Sequence, residues 1–205
     1  MATIQGTVEA HIVEGISNIE QALKSTIVAQ EAALHHMIVA MVANGHVLLE
    51  GVPGIAKTLM AKSLAKSVAG DFKRIQFTPD LLPADIVGTK VFNQQTQSFE
   101  VHKGPVFSNF LLADEINRTP AKTQSGLLEA MTEGSVSIGG ESMHLPVPYM
   151  VIATQNPLEF DGTYQLPEAL VDRFLMKITL GYPNVAAEAD VLKRHHLGTL
   201  DNKNT

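Results

Sequence analysis

The chain has 205 residues, of which 45% are hydrophobic and 18% are charged. That balance indicates a globular protein with a substantial core, because disordered chains are poorer in apolar residues and richer in charge. A formal net charge of −6 argues against a protein whose main role is to coat nucleic acid. Cysteine is absent, which excludes disulfide frameworks, thiolate zinc sites and cysteine nucleophiles.

The amino terminus does not have the pattern of a signal peptide, because acidic residues come before any apolar run. The longest apolar run, residues 37–43, is far shorter than the roughly 20 residues of a membrane span. We therefore expect a cytoplasmic protein without a membrane segment. Its histidines, including His35 and His36, show no metal-ligand spacing and are predicted to be surface or packing residues.

Three segments at the amino end have helical periodicity, over residues 8–23, 30–43 and 57–69. Short apolar runs at 47–50, 72–77, 110–113, 149–154 and 174–180 are predicted strands. They lack polar alternation, so we expect both faces of the sheet to be covered. The clearest intervening helix is 121–133, with Thr119 predicted to cap it. Strands that alternate with helices indicate a parallel α/β sheet.

Two hairpins are predicted to interrupt this alternation. The first covers residues 89–102 and the second residues 135–145, with Gly139 and Gly140 at its turn. A further helix is predicted from about residue 184 to 196, followed by a polar tail. These patterns predict one α/β unit over residues 1–183 and the start of a second unit over 184–205.

The segment GVPGIAKT, residues 51–58, follows a predicted strand and precedes a predicted helix. This is the context of a phosphate-binding loop, in which backbone N–H groups and the helix dipole hold a polyphosphate. Lys57 would contact the β- and γ-phosphates, and Thr58 would place a hydroxyl on Mg²⁺. Ala56 stands where the motif usually has glycine, which we expect to be tolerated if its φ is negative. The alternative is a glycine-containing turn before a helix with a surface lysine.

The strand at 110–113 ends in Asp114 and Glu115. Two carboxylates at the end of an apolar strand are costly unless they are used, and strand ends of parallel sheets face the ligand crevice. Asp114 is predicted to assist the Mg²⁺ shell, and Glu115 to act as the general base on the attacking water. A charged loop after a buried strand is the alternative.

Two more polar residues lie next to predicted strands: Asn156 after the strand at 149–154, and Arg173 before the strand at 174–180. Asn156 could donate to a γ-phosphate oxygen or form a simple Asn-Pro turn. Arg173 could reach the nucleotide of a neighbouring subunit as an arginine finger, or pair with Asp172 or Glu168.

Taken together, the motifs GVPGIAKT, FLLADEINRTPAKTQSGLLEAMTEG, VIATQNP and LPEALVDRFLMKI resemble the MoxR family of AAA+ ATPases. The stretch QFTPDLLPADIVG resembles the family as well, and the similarity covers roughly residues 27–182. The resemblance implies a P-loop NTPase fold of the AAA+ type, with a five-stranded parallel sheet in the order 5-1-4-3-2, flanked by helices and carrying two β-hairpin insertions.

The resemblance also implies roles for individual residues. It assigns Asp114 and Glu115 to Walker B, Asn156 to sensor one and Arg173 to the arginine finger. The segment 27–32 resembles an adenine-side motif in which glycine usually stands at Ala29. Thr58 and Asp114 are expected to hold Mg²⁺. The residues expected to contact ATP or ADP are Val28, Gln30, Gly51, Val52, Pro53, Gly54, Ile55, Ala56, Lys57, Thr58 and Leu59.

The family implies Mg²⁺-dependent ATP hydrolysis in a homo-oligomer, expected to be a hexameric ring. It further implies chaperone-like maturation of a protein client, such as metal or cofactor insertion, often with a von Willebrand factor A partner. Family members carry a helical lid with a second sensor arginine after the core. None can be assigned before residue 205, so we expect weak nucleotide affinity and low turnover from this chain alone.

Two other classes remain open. One is a nucleotide-gated assembly module with negligible turnover. The other is a nucleic-acid motor, for which the cationic residues on the predicted hairpins, Lys90, His102 and Lys103, are few. A GTPase is not favoured, because the only Asn-Lys pair, Asn202-Lys203, lies in the tail without the following aspartate of a guanine-reading motif.

Overall fold

The structure is a computed structural model that describes residues 2–157, 162–182 and 185–196. The predicted polar tail and the boundary between the two predicted units, at residues 183 and 184, lie outside the described residues. The described strands are β1 (His46–Glu50), β2 (Phe72–Gln76), β3 (Gly88–Asn93), β4 (Ser98–Lys103), β5 (Phe110–Asp114), β6 (Ser135–Ile138), β7 (Glu141–His144), β8 (Met150–Gln155) and β9 (Phe174–Thr179). The described α-helices are α1 (Ala2–Thr26), α2 (Glu31–Val42), α3 (Lys57–Ser67), α4 (Pro83–Val87), α5 (Ala121–Gln124), α6 (Leu128–Glu133), α7 (Glu168–Val171) and α8 (Val185–His196).

The central sheet has five strands in the order β2-β5-β8-β1-β9. Its neighbouring strands all pair in parallel. Counted along the chain, β1, β2, β5, β8 and β9 are core strands 1 to 5, so the predicted order 5-1-4-3-2 is confirmed. The crossover places the phosphate-loop strand β1 beside β8, where ligand crevices form in open parallel sheets.

Apolar layers cover both faces of the three central strands. Val47 and Leu49 of β1 belong to a core cluster with residues of α1, α2 and α3, whereas Leu48 belongs to the cluster on the other face. The expectation that both faces of every strand are covered is wrong for the edges of the sheet. In β2, Lys73 and Arg74 are exposed, and β9 alternates between exposed and covered residues. An edge strand has neighbours on one side only, so side chains along it reach solvent.

The predicted helix over residues 121–133 is present but interrupted. Helices α5 and α6 are separated by a 3₁₀ turn at Ser125–Leu127. Thr119 does not cap this segment, because the N-cap residue is Pro120 and the Thr119 hydroxyl donates to the Ile116 carbonyl at 3.3 Å. Proline at the N-cap supplies no side-chain acceptor, so this cap prediction was wrong.

Both predicted hairpins are present, as the antiparallel pairs β3–β4 and β6–β7. They contact each other through Lys90 and Glu141, whose charged groups lie 2.7 Å apart. Phe92 and Phe99 pack edge to face across the first hairpin, and both remain exposed. Within the described residues, no helix combines the length and apolar character that crossing a membrane requires.

Candidate functional site

A cavity of about 410 Å³ lies at the carboxyl ends of the central strands, beside the start of α3. It contains residues from three separate segments of the chain, namely the loop before α3, the end of β5 and the end of β8. The lining residues are Pro53, Gly54, Ala56, Lys57, Thr58, Leu59, Asp114, Glu115 and Asn156. Sequence reasoning selected every one of these residues.

The loop before α3 turns sharply into the helix through two residues with positive φ. Gly54 has φ 85°, and Ala56, the N-cap residue, has φ 60° and ψ 20°. Alanine at position 56 was expected to be tolerated with a negative φ. That expectation was wrong, because the φ of Ala56 is positive. An L-residue in the left-handed region costs roughly 1–2 kcal/mol, because its Cβ approaches the following carbonyl oxygen. The turn is kept despite this cost, and it directs the first N–H groups of α3 toward the cavity.

Gly51 has a packing role at the base of the loop. A Cβ added there would lie 2.9 Å from the Leu180 carbonyl oxygen and would overlap the Ile55 side chain. The Leu180 N–H donates to the Glu50 carbonyl at 2.7 Å, which holds the end of β9 against the loop. Glycine at this position is thus required by the neighbouring strand.

Lys57 is the cation of the cavity. Its Nζ donates to the Gly51 carbonyl oxygen at 2.7 Å, so the side chain folds back over the loop that precedes its own helix. Because the first turn of a helix carries unsatisfied N–H groups and the positive dipole end, Lys57 adds a full charge to a region already suited to anions.

Asp114 is buried, with contacts on both carboxylate oxygens. Arg74 of the adjacent edge strand donates to Oδ2 through Nη2 at 2.6 Å and through Nε at 3.0 Å. The Thr154 hydroxyl of β8 donates to Oδ1 at 2.6 Å. These contacts fix the carboxylate in one orientation and neutralise part of its charge.

Glu115 has a left-handed backbone with φ 55° and ψ 49°. Its N–H donates to Thr154 Oγ1 at 2.9 Å, and its Oε2 accepts from Gln76 Nε2 at 2.7 Å. Arg118 Nε lies 3.0 Å from the same Oε2 atom. The carboxylate predicted to act as a general base is therefore held between an amide and a guanidinium group.

Asn156 directly follows β8. It is buried, and it belongs to the lining of the cavity. Arg173 is exposed between α7 and β9 and lies outside the described lining of this cavity. Among the described residues, no ion pair joins Arg173 to Asp172 or Glu168. The structure therefore brings Asn156 to Lys57 and the two acids within one subunit, but it does not bring Arg173 there.

The residues predicted on the adenine side lie beside a separate cavity of about 310 Å³. Gln30 is in its lining, and its Nε2 donates to the Gly181 carbonyl at 3.2 Å. Ala29 has φ 66°, the left-handed geometry expected where a motif usually has glycine. Val28 is half-buried next to it. Gln30 is linked to the phosphate loop through the end of β9, since Gly181 follows the Leu180 that packs on Gly51.

Two side chains in the lining of the main cavity carry the kind of oxygen ligand that a magnesium ion prefers. Thr58 offers a hydroxyl and Asp114 a carboxylate, and Mg²⁺ prefers one or two such protein oxygens together with waters and substrate phosphates. In the described part of the chain, this cavity included, no group of three or more histidine, aspartate or glutamate residues could hold a metal.

Sequence reasoning missed three residues that hold the acids, namely Arg74, Gln76 and Thr154. Arg74 and Gln76 are polar residues two positions apart on an edge strand, so they share a face. Thr154 is a polar residue that follows four apolar residues of its strand, two positions before Asn156. Their spacing was visible, but the partner of each residue depends on strand order and register.

Comparisons with known proteins place these residues in a defined group. The model of the "ATPase family associated with various cellular activities (AAA)" matches residues 46–176. The chain is 54% identical over 172 residues to "Chaperone MoxR1" of Mycobacterium tuberculosis, covering 84% of this chain and 46% of that protein. It is 30% identical over 178 residues to "Protein MoxR" of Methylorubrum extorquens, covering 84% of this chain and 51% of that protein.

A solved structure is similar over nearly the whole of this chain. The crystal structure of a predicted ATPase from Cytophaga hutchinsonii superposes with a TM-score of 0.84 at 47% identity, covering 98% of this chain and 62% of that one. The chain spans about half the length of the curated relatives it matches.

Proposed function

Because this chain belongs to the MoxR family of AAA+ ATPases, we propose that it hydrolyses ATP in the cavity between α3 and the acidic end of β5. One observation carries the proposal, namely that Lys57, Thr58, Asp114, Glu115 and Asn156 line a single cavity. A cation, a helix N-terminus and two carboxylates in one crevice match the needs of phosphoryl transfer, which depends on positioning and charge stabilisation.

Each residue has a role in this proposal. Lys57 and the first N–H groups of α3 bind the phosphates, and Asn156 orients the attacking water or donates to a phosphate oxygen. Glu115 accepts the proton of that water. Mg²⁺ when bound supplies charge neutralisation between the phosphates, and Thr58 and Asp114 are the residues that would hold it.

Two side chains hold one oxygen of the Glu115 carboxylate. Gln76 and Arg118 both contact Oε2, so Oε1 is the oxygen that accepts the proton of the water in this proposal. We further infer that the exposed Arg173 stabilises the developing charge at the site of a neighbouring subunit, so that activity requires assembly, with a hexameric ring as the expected form.

The similarity to a protein named a chaperone supports a role in remodelling protein clients. We propose that hydrolysis drives maturation of a client, such as metal or cofactor insertion, with a von Willebrand factor A protein as the expected partner. The predicted cytoplasmic location belongs to the same proposal. A nucleic-acid motor is less favoured, because Lys90 on the first hairpin is already paired with Glu141.

A second function is favoured by the engaged state of Glu115, namely a nucleotide-gated binding module with negligible turnover. Phosphate release from the wild type and from Glu115→Gln separates the two. An ATPase loses activity on this substitution by a large factor, whereas a binding module shows equal, near-background rates in both proteins.

The shared site is tested by mixing two inactive variants. Lys57→Ala removes the cation of the cavity, and Arg173→Ala removes the proposed finger. In a mixed assembly some sites combine an intact cavity with an intact Arg173, so activity should recover. A mixture as inactive as its components would contradict a site shared between subunits.

A further inference from the structure

We propose that Glu50 is a positioning residue that couples the phosphate loop to the ends of β8 and β9, and thus to Asn156 and Arg173. The inference deepens the proposed function and relies on it for the roles of these two residues. Glu50 is absent from the described lining of the main cavity, so it acts through its neighbours.

The Glu50 carboxylate joins the three strands that meet at this part of the sheet. Its Oε1 atom accepts from Gln155 Nε2 at 2.7 Å and lies 2.9 Å from Lys177 Nζ. Gln155 belongs to β8 and Lys177 to β9, the two strands that flank β1. One oxygen atom therefore receives an amide from one side and an ammonium group from the other.

Each of these three residues lies close in the chain to a predicted functional residue. Glu50 immediately precedes Gly51, the first residue of the phosphate loop, and Gln155 immediately precedes Asn156. Lys177 stands in β9, the strand that begins directly after Arg173. Because Glu50 and Gly51 share a peptide bond, a displacement of the loop that reaches Gly51 is passed on to Glu50.

Backbone hydrogen bonds connect the same three places. The Gly51 N–H donates to the Gln155 carbonyl at 3.2 Å, and the Leu180 N–H donates to the Glu50 carbonyl at 2.7 Å. The side-chain contacts lie on the sheet face of Leu48, because residues two apart on a strand share a face. Asp114 and Thr154 lie on the other face, so the link through Glu50 is separate from the one that holds the acids.

The Glu50 carboxylate is well shielded, with 17% of its side chain exposed. Burial alone would raise its pKa, but the contacts with Lys177 and Gln155 outweigh burial, so the pKa lies below its ordinary value. The group stays ionised at neutral pH. An ionised, shielded carboxylate with two donors resists separation from either of them, which makes it a suitable link.

The test measures amide hydrogen exchange in residues 173–180, with and without a non-hydrolysable ATP analogue and Mg²⁺. In the wild type, nucleotide should slow exchange in this segment several-fold, although the segment lies outside the cavity lining. In Glu50→Gln, which keeps the shape of the side chain and loses its charge, nucleotide should still bind but this slowing should be largely lost.

Two further variants separate coupling from a general loss of structure. Lys177→Met breaks the link from β9, away from the phosphate loop, and should abolish the slowing in the same way. Glu141→Gln removes an acid from the Lys90 ion pair between the hairpins and should leave the slowing intact. Full slowing in Glu50→Gln, an equal loss of slowing in Glu141→Gln, or no slowing in the wild type would overturn the inference.

Calorimetric titration of the same samples distinguishes this inference from the proposed function. Wild-type protein that binds no nucleotide overturns the proposed function, and the inference falls with it. Wild-type protein that binds nucleotide without any response in residues 173–180 overturns the inference alone.

Discussion

The hydroxyl of Thr154 donates to Asp114 Oδ1 across a 2.6 Å hydrogen bond between neighbouring strands. The same oxygen of Thr154 accepts the N–H of Glu115 at 2.9 Å. A single buried hydroxyl thus orients the side chain of one acid and the backbone of the next. We expect the distance between the two carboxylates to depend on this residue.

Thr154→Val replaces the hydroxyl by a methyl group of similar shape. Asp114 Oδ1 and the Glu115 N–H then each lose their hydrogen bond to this residue. A hydrogen bond to a charged group is worth roughly 1.5–3 kcal/mol, so turnover and Mg²⁺-dependent nucleotide affinity should fall roughly 10- to 100-fold. Steady-state kinetics at several Mg²⁺ concentrations measure this. Thr154→Ser retains the hydroxyl and should stay close to wild type, and equal loss in both variants would contradict the role of the hydroxyl.

Removal of Arg74 should strengthen metal binding at Asp114. Its guanidinium group lies 2.6 Å from Asp114 Oδ2, where a positive charge opposes the approach of a dication. In Arg74→Met we expect lower thermal stability but several-fold tighter Mg²⁺ binding in the nucleotide complex. Fluorescent nucleotide titrated with Mg²⁺ measures the affinity. Lys73→Met, an exposed cation on the same strand, is the matched control and should leave Mg²⁺ affinity unchanged.

Glycine at position 56 should stabilise the protein. Ala56 has φ 60°, where an L-residue is strained by roughly 1–2 kcal/mol, so Ala56→Gly should raise the midpoint of thermal unfolding by about 2–4 °C for each 1 kcal/mol gained. The same change at Ala65 inside α3 should lower the midpoint, because glycine is unfavourable in a helix interior. Differential scanning calorimetry of both variants tests the sign. A lower midpoint for Ala56→Gly would show that its backbone is not strained.

His46 should make the stability depend on mildly acidic pH. Its Nδ1 accepts from the Val151 N–H and its Nε2 donates to the Met131 carbonyl, each at 3.1 Å, which requires the neutral ring. Burial lowers its pKa below the ordinary 6.5, against a smaller opposing effect of the Met131 contact. As the pH falls, His46 therefore binds a proton in the unfolded chain at a higher pH than in the folded protein.

The stability due to His46 is thus complete above the unfolded pKa of 6.5 and is lost as the pH falls toward the folded pKa. The slope in this range is at most about 1.4 kcal/mol per pH unit. Urea unfolding at a series of pH values, starting above the unfolded pKa of 6.5 and going down, measures it. His46→Gln should flatten the dependence, whereas His144→Gln, at an exposed position, should not. A pH dependence identical in His46→Gln and wild type would contradict this account.

Much of the fold could be predicted from local sequence. The apolar runs around Val47 and Leu112 mark central strands because both of their faces are buried. The order of the strands came only from family resemblance, since no local pattern states which strands pair. Edge strands were described incorrectly, because the charged residues Lys73 and Arg74 within β2 already mark exposed positions and were treated as part of an apolar run.

The site could be predicted where its functional residues are adjacent in the sequence. Lys57 and Thr58 belong to one motif, and Asp114 and Glu115 are adjacent. The residues that orient them were not predictable, because Thr154 reaches Asp114 across 40 positions of the chain. The positive φ of Ala56 also escaped sequence reasoning, since alanine usually avoids that region and only the tight turn into α3 imposes it.

The central claim is that a nucleoside triphosphate binds between the start of α3 and the acids of β5. Calorimetric titration with a non-hydrolysable ATP analogue and Mg²⁺, on wild type, Lys57→Ala and Lys62→Ala, tests it most directly. Lys62 is an exposed lysine of the same helix and should be dispensable. We expect Lys57→Ala to weaken binding by at least about tenfold, which corresponds to roughly 1.4 kcal/mol. Equal affinity in all three proteins would contradict the claim.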